Sequence, residues 1–224
     1  MKNNLIQLNL QDNLAIIFMN NPPNNLINTQ FLDSLQKNIH DAEKKGARAL
    51  LITSKIKHFC AGADPDFFLK KSSKKKNDPM RLIRIIESVK IPTVAAIKGA
   101  ALGGGFELAL GCDFIIAADT ARIGLVETSV GLIPLSGGVQ RLINRVGSAR
   151  TKEIAMFGRR YDARTLENWG AINMVVPELN LLDASIAFSK QLSNGPTTAL
   201  KEIKKIADNT VMYGSKKADT EVKK

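Results

Sequence analysis

Ile91-Pro92-Thr93-Val94-Ala95-Ala96-Ile97-Lys98-Gly99-Ala100-Ala101-Leu102-Gly103-Gly104-Gly105-Phe106-Glu107-Leu108-Ala109-Leu110 is the stretch on which the reading of the chain turns. Pro92 ends an upstream helical pattern, because proline offers no backbone N–H and clashes with the preceding turn. Thr93 to Lys98 then reads as a strand, and the glycine run feeds a helix from about Gly105 to Leu110. Glycine inside a helix costs about 1 kcal/mol relative to alanine, so three in a row belong at the entry, where close approach of the backbone is useful. A helix entry carries unpaired N–H groups and a partial positive charge, which bare glycines let a ligand oxygen reach. Taken alone, the same glycines would also serve close packing of the helix start against a strand.

Upstream, Phe59-Cys60-Ala61-Gly62-Ala63-Asp64 forms a second small-residue turn. Alone it reads equally as a strand-to-helix loop capped by Asp64. Together the two turns offer two independent backbone donors, the makings of an oxyanion hole, in which one donor is typically worth about 2.7–4 kcal/mol of transition-state stabilisation. Two carboxylates accompany them. Glu107 lies in Phe106-Glu107-Leu108-Ala109-Leu110 and Glu127 follows Gly124-Leu125-Val126, both among apolar neighbours. A carboxylate in such company is costly without a partner, and desolvation raises its pKa toward the range that suits proton transfer. Surface or capping roles are the plain alternatives for each.

Working outward, Leu5 to Leu10 and Leu14 to Met19 read as a hairpin around Gln11-Asp12-Asn13. Asn20-Asn21-Pro22-Pro23-Asn24-Asn25 is a turn cluster. Thr29 reads as the N-cap of a helix whose Phe31, Leu32, Leu35 and Ile39 share one face, and Gly46 ends it. Ala49 to Thr53 is a continuous apolar strand of the kind buried on both faces. Met80, Ile83, Ile86 and Val89 outline another helix, and Asp113 to Ala117 another buried strand. Helices are expected at 138–146, 148–157, 181–193 and 197–208, with a short strand near Asn173 to Val176. The alternation gives an α/β architecture, divided most simply into an α/β core over 1–194 and a short helical C-terminal region with a lysine-rich tail over 195–224.

The chain has 224 residues, 44% hydrophobic and 24% charged, with a net charge of +11. That is ample for a buried core and excludes disorder throughout. The charge is concentrated in Lys70, Lys71, Lys74, Lys75 and Lys76 and in a tail with Lys216, Lys217, Lys223 and Lys224, which read as solvated loop charge. No run of about eighteen apolar residues or leader-like N-terminal segment is present, so no membrane association is expected. Cys60 and Cys112 form no framework or metal spacing and read as buried free thiols of a reducing compartment, with the cytoplasm the expected location.

These motifs, taken jointly, resemble the crotonase, or enoyl-CoA hydratase/isomerase, superfamily. The resemblance runs through Asn20 to Leu26, Phe59 to Asp64, Ile91 to Gly99, Ala101 to Ala109, Cys112-Asp113, Gly131 to Pro134 and Gly137 to Leu142, to Asn194-Gly195-Pro196, covering roughly residues 5–208. It implies a crotonase-like spiral of ββα units. It implies that the N–H groups of Ala63 and Gly104 hold the thioester oxygen of an acyl-CoA. The backbone of Ala61, Gly62, Ala63 and Asp64 would also cradle the coenzyme A adenine. Glu107 and Glu127 match the two glutamates of true hydratases, Glu107 as base on the water attacking C3 and Glu127 as proton donor to C2. No separate cofactor is implied, coenzyme A being part of the substrate, and a homotrimer or dimer of trimers is the expected assembly. Pro65 and Asp66 stand where many members carry leucine or isoleucine and a basic residue. The chain also offers only Asn209 to Lys224 where further C-terminal helices are usual, so that region is expected to be shortened. Leu69, Met80 and Ile83 are the expected determinants of acyl-pocket depth.

Several residues are left with structural roles. His58 and His40 lack a nucleophile-and-base set, Ser136 has no evident base and reads as turn chemistry, and Gln140-Arg141 reads as helix packing and surface charge. Trp169 and Phe157 read as core or interface. The competing functions are an enoyl-CoA isomerase or other acyl-CoA chemistry, an RNA-binding protein using Lys70 to Lys76, and a silent scaffold. Nucleic acid is not expected, since that basic run has no interleaved aromatic residues for base stacking.

Overall fold

The computed structural model describes residues 5–65 and 78–222. The hairpin forms as expected. β1 (Ile6–Gln11) pairs antiparallel with β2 (Leu14–Met19). Helix α1 (Thr29–Lys44) follows, but its N-cap is Asn28 rather than Thr29. The Asn28 side chain accepts a hydrogen bond from the Phe31 N–H at 2.9 Å, and its extended backbone suits a cap, whereas Thr29 is already helical. Phe31, Leu32, Leu35 and Ile39 are buried as their spacing requires. Strand β3 (Ala49–Ser54) is buried at every residue.

After helix α2 (Arg81–Glu87), the chain makes two successive strand pairs. β4 (Thr93–Ile97) leads to β5 (Ala100–Leu102) and helix α3 (Gly104–Leu110), then β6 (Phe114–Ala118) leads to β7 (Arg122–Gly124). In each pair the first strand joins one sheet and the second joins another. With β8 at Tyr161–Asp162 and β9 at Met174–Val176, the larger sheet runs β1-β2-β3-β4-β6-β9, parallel except for the β1–β2 edge, and the smaller runs β5-β7-β8. This hop between sheets repeats as ββα units. Sequence reading missed β5, β7 and β8, which are too short to show a period; the equally short β9 is marked instead by its apolar run Met174-Val175-Val176.

Helix α4 (Gly138–Phe157) contains a break at Gly147, so the expected helices 138–146 and 148–157 are its two arms. Helix α5 (Ala163–Asn168), β9 (Met174–Val176), α6 (Leu181–Asn194), α7 (Thr197–Tyr213) and α8 (Ser215–Val222) complete the chain. Helix α7 runs past the expected end at 208, and the lysine-rich tail contributes α8, whose Ala218 is buried. Lys204 ties α7 to the sheet: its ammonium donates to Asp113 Oδ2 at 2.9 Å and to the Ile91 carbonyl at 3.3 Å. Asp113 in turn accepts from the Thr93 N–H and hydroxyl. None of the described helices is long and apolar enough to cross a membrane. Phe157 is 62% exposed and is not a core residue; Trp169 is half-buried edge-on to Tyr161.

Candidate active site

The two small-residue turns meet. Residues 24–27 run beside 60–64 as a short parallel ladder. Ala61 N–H donates to the Asn24 carbonyl, Ile27 N–H to Gly62, and Asp64 N–H to Ile27. This places Ala63 in a parallel bridge with Ile27. In such a bridge the flanking groups make the bonds, so the N–H of Ala63 itself points to the opposite side. Buried Asn25 holds the ladder in place, donating to Ser54 Oγ at 2.8 Å and to the Phe59 carbonyl at 3.0 Å.

On that opposite side lies the start of α3. Gly103, at φ 51° and ψ −122°, is a conformation that side chains resist, and it turns the chain from β5 into the helix. Helix entry falls at Gly104, one residue earlier than expected, so the Gly104 N–H is a first-turn donor with no intrahelical acceptor. A methyl group built on Gly104 would stand only 3.6 Å from the Ala63 nitrogen, 3.3 Å from Ile27 Cδ1 and 3.9 Å from Glu107 Oε2. Ala63, Gly104 and Glu107 therefore share one wall. Gly105 answers the packing alternative: a methyl there would fall 2.1 Å from the Cys60 carbonyl oxygen. Gly105 thus serves packing, while the adjacent Gly104 lines a cavity.

Glu107 is 2% exposed. Its Oε1 accepts two backbone hydrogen bonds, from Ser136 N–H and Gly138 N–H, each 2.9 Å. Burial pushes its pKa up, while these N–H groups and Arg141 pull it back. Glu127 opens a 3-10 turn over Glu127–Val130. Its Oε1 would lie 3.0 Å from a methyl built on Gly103, and its buried Oε2 has no hydrogen-bond partner. Desolvation, with the charge of Glu107 as a further contribution, raises Glu127 to about 7. Two carboxylates thus flank one helix entry, one with an oxygen anchored by two backbone donors and one with a buried oxygen that has no partner.

Between them is a cavity of about 190 Å³. Ala61, Gly62, Ala63, Gly103, Gly104, Glu107 and Glu127 line its polar end; Ile27, Leu32, Leu82, Val130, Leu132, Ile133 and Leu135 supply apolar wall. Leu82 and Leu32 take the place expected of Ile83 and Met80, because on α2 it is Leu82 that faces the cavity. Leu69 and Asp66 lie outside the described residues, as do Lys70 to Lys76, and Asp64 is adjacent in sequence to the lining residues rather than one of them. Such a site can polarise a carbonyl oxygen through two N–H groups while two carboxyl groups handle protons beside it.

Other candidates keep structural roles. His58 Nδ1 accepts the Ala100 N–H at 3.1 Å, and His40 is exposed. Cys60 and Cys112 are buried free thiols, and burial pushes each up to about 12. Arg141 forms a bidentate pair with Glu87 across α4 and α2. The contribution of residues 132–138 was missed in the sequence, because backbone N–H donors carry no residue-type signal; the paired glycines Gly137-Gly138 were the only cue. A methyl built on Gly138 would stand 2.8 Å from Glu107 Cγ.

Comparison with known proteins gives the family and the fold. Residues 9–223 match the family described as enoyl-CoA hydratase/isomerase. A protein of Arabidopsis thaliana named "Probable enoyl-CoA hydratase 2, mitochondrial" is 37% identical over 195 residues, 84% of this chain and 64% of that protein. The carnitinyl-CoA dehydratase of Citrobacter koseri is 44% identical over 115 residues, 51% of this chain and 44% of its own length. The chain thus spans less than two thirds of these two relatives. The solved structure of an enoyl-CoA hydratase from Bacillus anthracis superposes with a TM-score of 0.86 at 29% identity, covering 96% of this chain and 90% of that one.

Proposed function

We propose that this chain, which belongs to the enoyl-CoA hydratase/isomerase family, hydrates a 2-enoyl-CoA to a 3-hydroxyacyl-CoA. The observation that carries the reading is the unequal pair of carboxylates on either side of one helix entry. Two N–H donors at 2.9 Å oppose the upward push of burial on Glu107; Glu127, whose buried Oε2 has no partner and whose pKa is raised to about 7, retains a proton near neutrality. Environments that separate two carboxyl groups in this way assign base and acid.

In this mechanism the thioester oxygen lies against the N–H groups of Ala63 and Gly104. Glu107 takes one proton from water as its oxygen bonds to C3. The C2=C3 electron pair shifts toward the thioester, and the negative charge gathers on its oxygen, facing the two donors and the start of α3. Glu127 then delivers its proton to C2 as the enolate collapses. Glu107 ends protonated and Glu127 ionised, and transfer of one proton between them resets the site. Backbone at Ala61, Gly62, Ala63 and Asp64 would receive the coenzyme A portion. No cofactor beyond the substrate's own coenzyme A is required. The name of the Citrobacter relative, a dehydratase, belongs to the same class of water addition and removal.

The exposed apolar side chains Val130, Ile133, Met156 and Phe157 support self-association, which we take to be a homotrimer or a dimer of trimers. The buried free thiols suit a reducing compartment such as the cytoplasm. A second reading, a double-bond isomerase using Glu127 alone as a proton shuttle, is favoured by the near-neutral pKa of that residue. Loss of the conjugated-enoyl absorbance of crotonyl-CoA tests the first reading. Turnover abolished by both Glu107→Gln and Glu127→Gln supports hydration. Isomerisation of a 3-enoyl-CoA that survives Glu107→Gln supports the second, and binding of the thioester without either reaction would leave a silent scaffold.

A further inference from the structure

We propose that the hydroxyl of Ser136 is a positioning device for Glu107, holding the backbone of residues 131–137 so that the Ser136 N–H stays aimed at the carboxylate. The inference rests on the hydration reading for its kinetic consequence but not for its geometric one. Among Gly131 to Ser136, Ser136 is the only fully buried residue, 8% exposed; Leu132, Ile133 and Leu135 point outward. Its Oγ donates to the Pro79 carbonyl at 2.8 Å, and the same side chain also reaches the Glu107 carboxylate. The same residue's N–H donates to Glu107 Oε1. One side of Ser136 is thus fastened to the entry of α2 and the other to the carboxylate.

The consequence is directional. With Oε1 occupied by two donors, the Glu107 plane is set and Oε2 is the oxygen left toward Gly104. Without the Pro79 tether, the loop keeps the Leu132 N–H bond to the Glu127 carbonyl at one end and the Arg141 bond to the Gly137 carbonyl at the other, while Ile133 and Leu135 between them are exposed. The Ser136 N–H would then wander from Oε1, leaving Gly138 as the remaining donor. Arg141 and Glu127 are the other charged groups acting with Glu107, and neither depends on that tether.

The test compares wild type with Ser136→Ala and Ser136→Thr, each checked for native circular dichroism. Steady-state hydration of crotonyl-CoA is read beside a carbon-13 NMR titration of the Glu107 carboxyl. Ser136→Ala is expected to lower kcat about tenfold, the scale of losing part of one charge-assisted hydrogen bond, with KM little changed. The Glu107 titration should move to higher pH, and Ser136→Thr, which keeps the hydroxyl, should restore both. Unchanged kcat and titration in Ser136→Ala would overturn the proposal. So would a change in KM alone, which would make the loop a wall rather than a support. If wild type hydrates no enoyl-CoA, the reaction assigned above fails, and the titration of Glu107 still decides the role of Ser136. Should Ser136→Ala fail to fold, Pro79→Ala, which retains the accepting carbonyl, together with Ser136→Cys, a far weaker donor, carries the same comparison.

Discussion

Glu107 and Glu127 stand on the two sides of one helix entry, yet their surroundings differ in kind. Glu107 rises from α3, deep in the core, and meets two backbone donors. Glu127 rises from a short 3-10 turn whose following residues are exposed, and its buried oxygen meets none. In one place two N–H donors oppose the upward push of burial on the pKa; in the other burial carries it to about 7. The lesson is that desolvation alone sets no role: both groups are desolvated, and the supply of N–H donors separates them.

Neutralising either member is the largest way to break the comparison. Glu107→Gln and Glu127→Gln should each lower the rate of crotonyl-CoA hydration by about a thousandfold or more, within the range of general acid–base contributions. Stopped-flow absorbance on folded variants would measure it. Equal, modest losses would show the two groups to be interchangeable and remove the distinction drawn here.

The glycines between the carboxylates sharpen it next. Gly104→Ala makes only ordinary or slightly tight contacts, so the fold should persist while the methyl covers the donors, with kcat falling about a hundredfold or more. Gly105→Ala meets the backbone of Cys60 at 2.1 Å and should instead destabilise the protein by about 3 kcal/mol, seen in urea unfolding.

A smaller effect concerns pH. The folded protein keeps the Glu127 proton up to about 7, against an ordinary value of 4.5. Between those values the native state binds more protons than the unfolded chain, so stability falls as pH rises. The penalty is absent below 4.5 and complete above 7, at most about 3 kcal/mol. Glu127→Gln should therefore unfold at higher urea concentration than wild type at pH 8, and the advantage should vanish at pH 4.5. The smallest effect is expected from Arg141→Gln, which removes a partly exposed pair with Glu87 and a minor stabiliser of the Glu107 anion. It should cost under about 1 kcal/mol and change kcat only a few-fold.

Much of this was legible before any coordinates. The buried strands announced themselves as continuous apolar runs, and α1 by the spacing of Phe31, Leu35 and Ile39. The misplaced cap shows the limit: Asn28 and Thr29 are both good capping residues, and only backbone angles choose between them. Phe157 shows another, since an aromatic residue at a helix end has no sequence mark telling core from surface.

By itself, then, the sequence determined the α/β class, the glycine-lined helix entry and the identity of the two carboxylates, because periodicity and residue type are local properties. The tertiary structure alone decided that Ala63 and Gly104 face the same space, that Gly105 serves packing while Gly104 stays open, and that Ser136 and Gly138 station Glu107 while the buried Oε2 of Glu127 finds no partner. These depend on backbone N–H groups, which every residue but proline carries, and only folding determines which of them are left to point at a carboxylate or a ligand.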